Sequence, residues 1–392
     1  MNLIRILRDV AIALITLYLL RWFSLSGRVR IIGKTHKPLS FLGKRVNSLR
    51  YFPNIVFGLN PETNTLAGFR LNKRKYKPRR EILIGTEGGE FAIDWFESDS
   101  VTLPDTAPIV FMCHGINGGS GEAFVQHFGL TCLHKFKYRP VCYIYRGCSG
   151  AKLTTPRSYN GGATEDIHIA IQEITKRFPK AKIALCGFSM GGNTLTKYLG
   201  EFKATHVQIA PPKHLTAGEK LHPNIICAAM SGCPFDYVVT SQTYTEAQKK
   251  SIGANYLLYF KKNEEQLKKQ KGCAAFLAID TPTADDFNEH LVADVFGYPS
   301  LRDLYVDTSS AFYVNGIDRP TLYISSANDP VSTTVAIPMR DISQNENTAL
   351  LLTKSGGHMG QFYPFSFKRK FDEDMMFNFL ASQFGGNGKK KD

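Results

Sequence analysis

Residues 184–193 read "ALCGFSMGGN" and centre on the pattern Gly187-x-Ser189-x-Gly191. Alone the pattern is weak: at ordinary glycine and serine usage, roughly one chain in ten of this length contains it by chance. Its neighbours raise its value. Residues 182–188, "KIALCGF", form an apolar run of strand length, and 191–201, "GGNTLTKYLGE", carry a helical pattern. A serine on a sharp turn between a buried strand and a helix has its hydroxyl pushed clear of the backbone, with the positive end of the helix dipole beside it. Gly191 and Gly192 permit the close strand–helix approach and the strained turn. Ser189 is therefore a candidate nucleophile. Ser120 and Ser149 also adjoin glycines but lack this setting, so they read as loop residues.

Outward from that turn, short strand-like runs alternate with helical ones. "EILIG" (81–85) and "EFAIDWF" (90–96) flank Gly88-Gly89 as a hairpin, and "PIVFMCHG" (108–115) is a buried strand ending at His114-Gly115. A helix is expected over 121–135, then the strand "PVCYIYRG" (140–147), then a helix capped by Thr164 with Glu165 and Asp166 in its first turn. Strands follow at 224–232, 320–326 and 348–356. The expected fold class is α/β, a mostly parallel sheet with helices on both faces. Residues 235–318 are more polar and helical; an insertion there lies over the C-terminal strand ends, where ligands bind, and is expected to form a cap. The expected division is an anchor at 1–26, a basic linker segment at 27–80, a catalytic domain at 81–380 and a basic tail at 381–392.

A serine hydroxyl becomes nucleophilic only when a histidine takes its proton, and that histidine needs a carboxylate to orient it. With Ser189 on a strand–helix turn, the partners should follow in the order Asp/Glu, then His. Asp329 in "SSANDPV" and His358 in "SGGHMG" each follow a strand's C-terminal end and satisfy that order. Asp236 is the competing carboxylate, and Asp318 precedes its strand. The developing oxyanion needs preorganised N–H donors. These are expected from the backbone of Met190 and, after His114-Gly115, of Ile116 or Asn117. His114 is expected to order that loop. Arg146 and Arg157 could tie loops to carboxylates such as Asp166 or meet a lipid phosphate; the first role is favoured.

The composition limits the alternatives. The net charge is +14 over 392 residues, with basic runs at 28–37 and 72–80. No nucleic-acid motif accompanies them, so an anionic membrane surface is the expected partner. Eight cysteines are scattered without metal-ligand spacing or a disulfide pattern, so neither a zinc site nor a disulfide framework is expected. The apolar run "VAIALITLYLL" (10–20), flanked by Arg5, Arg8 and Arg21, is expected to anchor the chain in a membrane. The heavier positive charge after it favours a cytosolic catalytic domain, and the terminal "KKKD" resembles an endoplasmic-reticulum retrieval signal.

Longer stretches carry a resemblance. They are "EGGEFAIDW" (87–95), "HGINGGSGEAFVQHF" (114–128), "RGCSGAKLTTPRSYNGGATEDI" (146–167), "GFSMGGNTLTKYLGE" (187–201), "ANDPV" (327–331) and "GGHMG" (356–360). In these the chain resembles the YheT-like family of α/β-hydrolases, in the branch of membrane-anchored eukaryotic lipases and esterases. The resemblance implies the α/β-hydrolase fold, the triad Ser189, Asp329 and His358, and hydrolysis of acyl esters without a cofactor. The chain departs from the family in reading "EGG" where "DGG" is usual, and in its cap. The expected activity is hydrolysis of lipid carboxylic esters, acylglycerols or phospholipids, without an obligate protein partner. A thioesterase, acyltransferase or short-chain esterase would use the same residues, and a non-catalytic lipid-binding protein is the alternative of a different class.

Overall fold

Strands with both faces covered are mostly apolar along their length, and the central runs of this chain are. In a computed structural model describing residues 3–33, 38–203, 208–215 and 219–385, nine strands form one sheet. They are β1 (Arg30–Gly33), β2 (Arg79–Ile84), β3 (Glu90–Trp95), β4 (Ile109–Cys113), β5 (Arg139–Ile144), β6 (Ile183–Phe188), β7 (Ile225–Ser231), β8 (Thr321–Ser326) and β9 (Thr348–Thr353). Their order across the sheet is β1-β9-β8-β7-β6-β4-β5-β3-β2. The strands from β9 to β5 in that order run parallel, while β1, β3 and β2 pair antiparallel at the two sides. Every residue of β4, β6, β8 and β9 is buried.

The helices that matter to the site are α1 (Leu3–Leu25), α2 (Pro61–Arg70), α3 (Ala123–His134), α4 (Glu165–Arg177), α5 (Met190–Glu201), α6 (Tyr237–Thr243), α7 (Glu246–Lys262), α8 (Ala284–Asn288), α9 (Leu301–Thr308) and α10 (Phe371–Phe384). The helix α5 packs on β6, and α10 on β7 and β8. Between β7 and β8 the chain is helical, including α6 to α9. Thr164 precedes α4 as expected, but its hydroxyl does not cap the helix; it donates to the buried Glu201 carboxylate on α5 at 3.0 Å. The segment 27–80, read as a linker, supplies the edge strand β1 and the helix α2, which Asn60 caps by accepting from the Thr63 N–H, with Pro61 in the first turn.

The expected transmembrane anchor is corrected. Among the described residues no helix is long and apolar enough to cross a membrane. The charges explain why: Arg5, Arg8, Asp9 and Arg21 leave only 10–20 uninterrupted within α1. At 1.5 Å per residue that run spans about 16 Å, roughly half of a hydrocarbon core. None of α1 is buried, and Ile12, Leu14, Ile15, Leu17 and Leu20 lie on its exposed surface. Tyr18 and Trp22, one turn apart, tie it to the body by donating to the Ile55 and Pro53 carbonyls. The "KKKD" tail lies outside the described residues, as do Lys34 and Lys37.

Candidate active site

The turn between β6 and α5 holds Ser189 at φ 54°, ψ −124°, a conformation that strains any residue other than glycine. Two contacts show why the surrounding glycines are required. A Cβ at Gly187 would lie 2.5 Å from the Gly192 Cα, and one at Gly191 would lie 2.3 Å from the Cys113 carbonyl oxygen. The Ser189 N–H donates to the Ser231 carbonyl of β7 at 2.9 Å, which fixes the turn against the sheet.

His358 and Asp329 come to this serine from loops after β9 and β8. His358 Nε2 lies 2.8 Å from Ser189 Oγ, and His358 Nδ1 lies 2.8 Å from Asp329 Oδ2. The three residues are buried, with the histidine 1% exposed. Asp329 is fixed in turn, because its Oδ1 accepts from the N–H groups of Val331 and Ser332 at 2.8 and 2.7 Å. Ser332 Oγ donates to the Gly232 carbonyl and lies 3.5 Å from His358 Nδ1. The competing carboxylates are engaged elsewhere. Asp236 caps α6 through the Val239 N–H, and Asp318 pairs with Lys203 and Arg319.

The expected oxyanion donors border the same space. Met190 opens α5, where a helix N–H has no intrahelical acceptor. Gly115 leads the other loop past the serine so closely that a Cβ there would lie 3.3 Å from Ser189 Cβ. The Asn117 N–H donates to Tyr159 Oη at 3.3 Å, and of the two candidates on this loop Ile116 keeps its N–H free of any acceptor among the described residues. His114 is buried and its Nδ1 donates to the Gly115 carbonyl at 2.7 Å; burial pushes its pKa down to about 4, so it stays neutral.

The arginines tie loops. Arg146 makes paired hydrogen bonds of 2.6 and 2.7 Å to Asp166, while Arg157 pairs with Glu87 and Glu165 over the Phe296 ring. Ser189 opens into a cleft of about 900 Å³ whose lining includes Ile116, Met190, Tyr237, Tyr244, Tyr256 and Tyr305. Most of that lining comes from α6 to α9. Among the described residues no group of three metal-ligating side chains occurs.

The segment that sequence reasoning missed is α2. Thr65 Oγ1 accepts from the His358 N–H at 2.9 Å, the Phe69 ring centroid lies 6.0 Å from that of His358, and Gly68 packs on the Met359 carbonyl. Only its Asn-Pro start and helical length are readable, and neither points to a loop almost 300 residues away.

A parallel sheet with a strained serine at a strand–helix turn, followed in chain order by a buried aspartate and histidine, is one recognised arrangement. The chain is an α/β-hydrolase by fold. A family model described as alpha/beta hydrolase fold matches residues 108–210. The chain is 26% identical over 314 residues to Phospholipase ABHD3 of Homo sapiens, covering 79% of this chain and 73% of that protein. It is 29% identical over 350 residues to Embryogenesis-associated protein EMB8 of Picea glauca (84% and 71% covered), and 28% identical over 280 residues to a Monoacylglycerol lipase of Saccharomyces cerevisiae (69% and 58%). Among solved structures, an acylaminoacyl peptidase of Pyrococcus horikoshii is similar with a TM-score of 0.50 and 14% identity, covering 81% of this chain and 43% of that one. That likeness of fold covers more of the chain than the 108–210 segment.

Proposed function

We propose that this α/β-hydrolase is a serine esterase of lipids, of the YheT-like branch, cleaving carboxylic esters of acylglycerols or phospholipids. The observation that carries the reading is the continuous hydrogen-bond chain Ser189–His358–Asp329, with 2.8 Å at each link. Ser189 Oγ attacks the ester carbonyl while His358 Nε2 takes its proton. Asp329 holds Nδ1–H and stabilises the imidazolium as it forms. The N–H groups of Met190 and Ile116 receive the oxyanion. His358 then gives its proton to the departing alkoxide, leaving an acyl-Ser189 ester. Water, deprotonated by the same imidazole, releases the acid and restores the serine.

The substrate class rests on two supports. The cleft is lined mainly by residues of the insertion, which serves as a cap; Tyr237, Ile252, Tyr256, Leu304 and Tyr305 give it apolar surface, and an acyl chain gains by burial there. Relatives are named as a phospholipase and monoacylglycerol lipases. A membrane surface, on the cytosolic side of the endoplasmic reticulum, is the proposed location. The exposed apolar side chains of α1, followed by Arg28 and Arg30, suit the headgroup region of an anionic bilayer. Hydrolysis of a panel of monoacylglycerols, phospholipids, acyl-thioesters and short-chain esters by wild type and Ser189→Ala tests the reading. The expected result is release of fatty acid from the lipid esters by wild type alone. Turnover confined to thioesters or short esters, or retained by Ser189→Ala, would sink it.

A further inference from the structure

Three residues of α7 and its C-terminal cap, Asn255, Tyr259 and Asn263, are spaced four apart and so lie along one face. All three touch loops at the C-terminal ends of the parallel strands. The Asn255 carbonyl accepts from Asn117 Nδ2 at 2.6 Å, Tyr259 Oη donates to the Arg146 carbonyl at 2.9 Å, and Asn263 Nδ2 donates to the Gly147 carbonyl at 3.1 Å. Just ahead of them, Tyr244 Oη donates to the Val331 carbonyl at 3.0 Å and Gln248 Nε2 to the Pro330 carbonyl at 2.8 Å. The insertion is thus bonded both to the loop that presents Ile116 and to the loop that presents Asp329.

Asn117 is where the first of these connections meets the site. Its backbone is left-handed, with φ 50°, a region that asparagine tolerates better than most residues. Its side chain is held from both sides, because Oδ1 accepts from Tyr159 Oη at 2.6 Å while Nδ2 reaches α7. The Tyr159 ring in turn packs edge-on against Tyr259, with centroids 5.2 Å apart. The peptide joining Ile116 to Asn117 is therefore clamped between the body and α7. An oxyanion donor works only within a few tenths of an ångström of its place, and a displacement of 1 Å can cost on the order of 100-fold in rate.

We infer that Asn117 is a positioning residue that couples the insertion to the oxyanion hole: the Ile116 N–H is set for the transition state only when α7 is docked through Asn117. The inference rests on the serine-esterase reading. Substrate contacts to the inner face of the insertion then act on turnover as well as on binding, because they favour the docked state that completes the hole.

The test uses the full chain, p-nitrophenyl butyrate as substrate, and a trifluoromethyl ketone inhibitor whose adduct with Ser189 places an oxyanion in the hole. Asn117→Gly keeps the left-handed backbone and removes both side-chain bonds. Its kcat is expected to fall roughly 10- to 100-fold with KM within threefold of wild type, and the ketone Ki to rise by the same factor. Asn263→Ala, which is outside the cleft lining, is expected to shift both quantities several-fold in the same direction. A kcat for Asn117→Gly within twofold of wild type overturns the inference, as does a loss of kcat with an unchanged ketone Ki. If Asn117→Gly does not fold, Asn263→Ala decides on the same two readouts. Activity retained by Ser189→Ala would instead remove the esterase reading, whereas an inactive Ser189→Ala beside a normal Asn117→Gly removes only the coupling.

Discussion

Ser189 and His358 face each other across 2.8 Å, yet they are held there in opposite ways. The serine is positioned by its own neighbours: Gly187, Gly191 and Gly192 make the turn, and the adjacent strand receives its N–H. The histidine is positioned by distant segments. Thr65 of α2 holds its N–H, and Asn328 Oδ1 accepts from the Gly357 N–H at 3.1 Å. The buried Lys370, paired with Asp372 and Glu373, donates to the Met359 carbonyl at 3.3 Å. The proposed nucleophile, made by a local turn, is encoded in a short motif. The proposed base, held by tertiary contacts, is encoded across most of the chain.

Several substitutions can break or sharpen that contrast. The largest effect belongs to the link both residues share. Asp329→Asn leaves the volume unchanged but presents a donor to His358 Nδ1, and kcat for ester hydrolysis should fall roughly 10³- to 10⁴-fold. A loss under tenfold would show that the aspartate does not orient the imidazole.

Gly191→Ala attacks the local support. Its Cβ would meet the Cys113 carbonyl oxygen at 2.3 Å, and backbone cannot yield as a side chain can. Destabilisation of about 3 kcal/mol is expected from overpacking at such a site, read by urea denaturation. An unchanged midpoint would mean that the turn is not as tight as described.

Thr65→Val attacks the distant support. It removes the acceptor of the His358 N–H while keeping the shape, and should cost about 1–2 kcal/mol of stability. Because the histidine then loses one anchor, kcat should fall several-fold with KM little changed. Stability lost without any change in kcat would confine Thr65 to a structural role.

A further effect is on pH dependence. His114 has a folded-state pKa of about 4, against roughly 6.5 in the unfolded chain, because burial disfavours its cation. As pH falls below about 6.5 the unfolded chain takes up a proton that the folded chain refuses. This contribution to stability is therefore whole above pH 6.5 and is lost as pH falls toward 4, up to about 3 kcal/mol. The Tm difference between pH 7 and pH 4.5 should narrow in His114→Gln. An equal difference in wild type and variant would contradict the assignment.

The same contrast explains what the sequence revealed. The strands β2 to β9 and the helices α3 to α5 were legible because their residues are buried on both faces or along one stripe, and burial writes a pattern. Ser189, Asp329 and His358 could be picked out as candidates because chain order and strand ends place them, and the structure brings their side chains within hydrogen-bond distance. The helix α2 was hidden in the basic stretch before residue 80, where charge suggested a linker and the contacts of Thr65 and Phe69 left no periodic trace. The anchor was over-read from the apolar run 10–20, because its length falls short between Asp9 and Arg21. Asn117 was weighed only for its backbone N–H, since a side chain bonded to a helix 138 residues away leaves no local mark.

The central claim is that Ser189 is the nucleophile activated by His358. It is tested most directly by treating the purified full chain with a fluorophosphonate and locating the adduct by peptide mass spectrometry. A single adduct on Ser189, lost in Ser189→Ala and slowed by orders of magnitude in His358→Ala, is the expected result. An adduct on another residue, or labelling of Ser189 that is indifferent to His358, would contradict it.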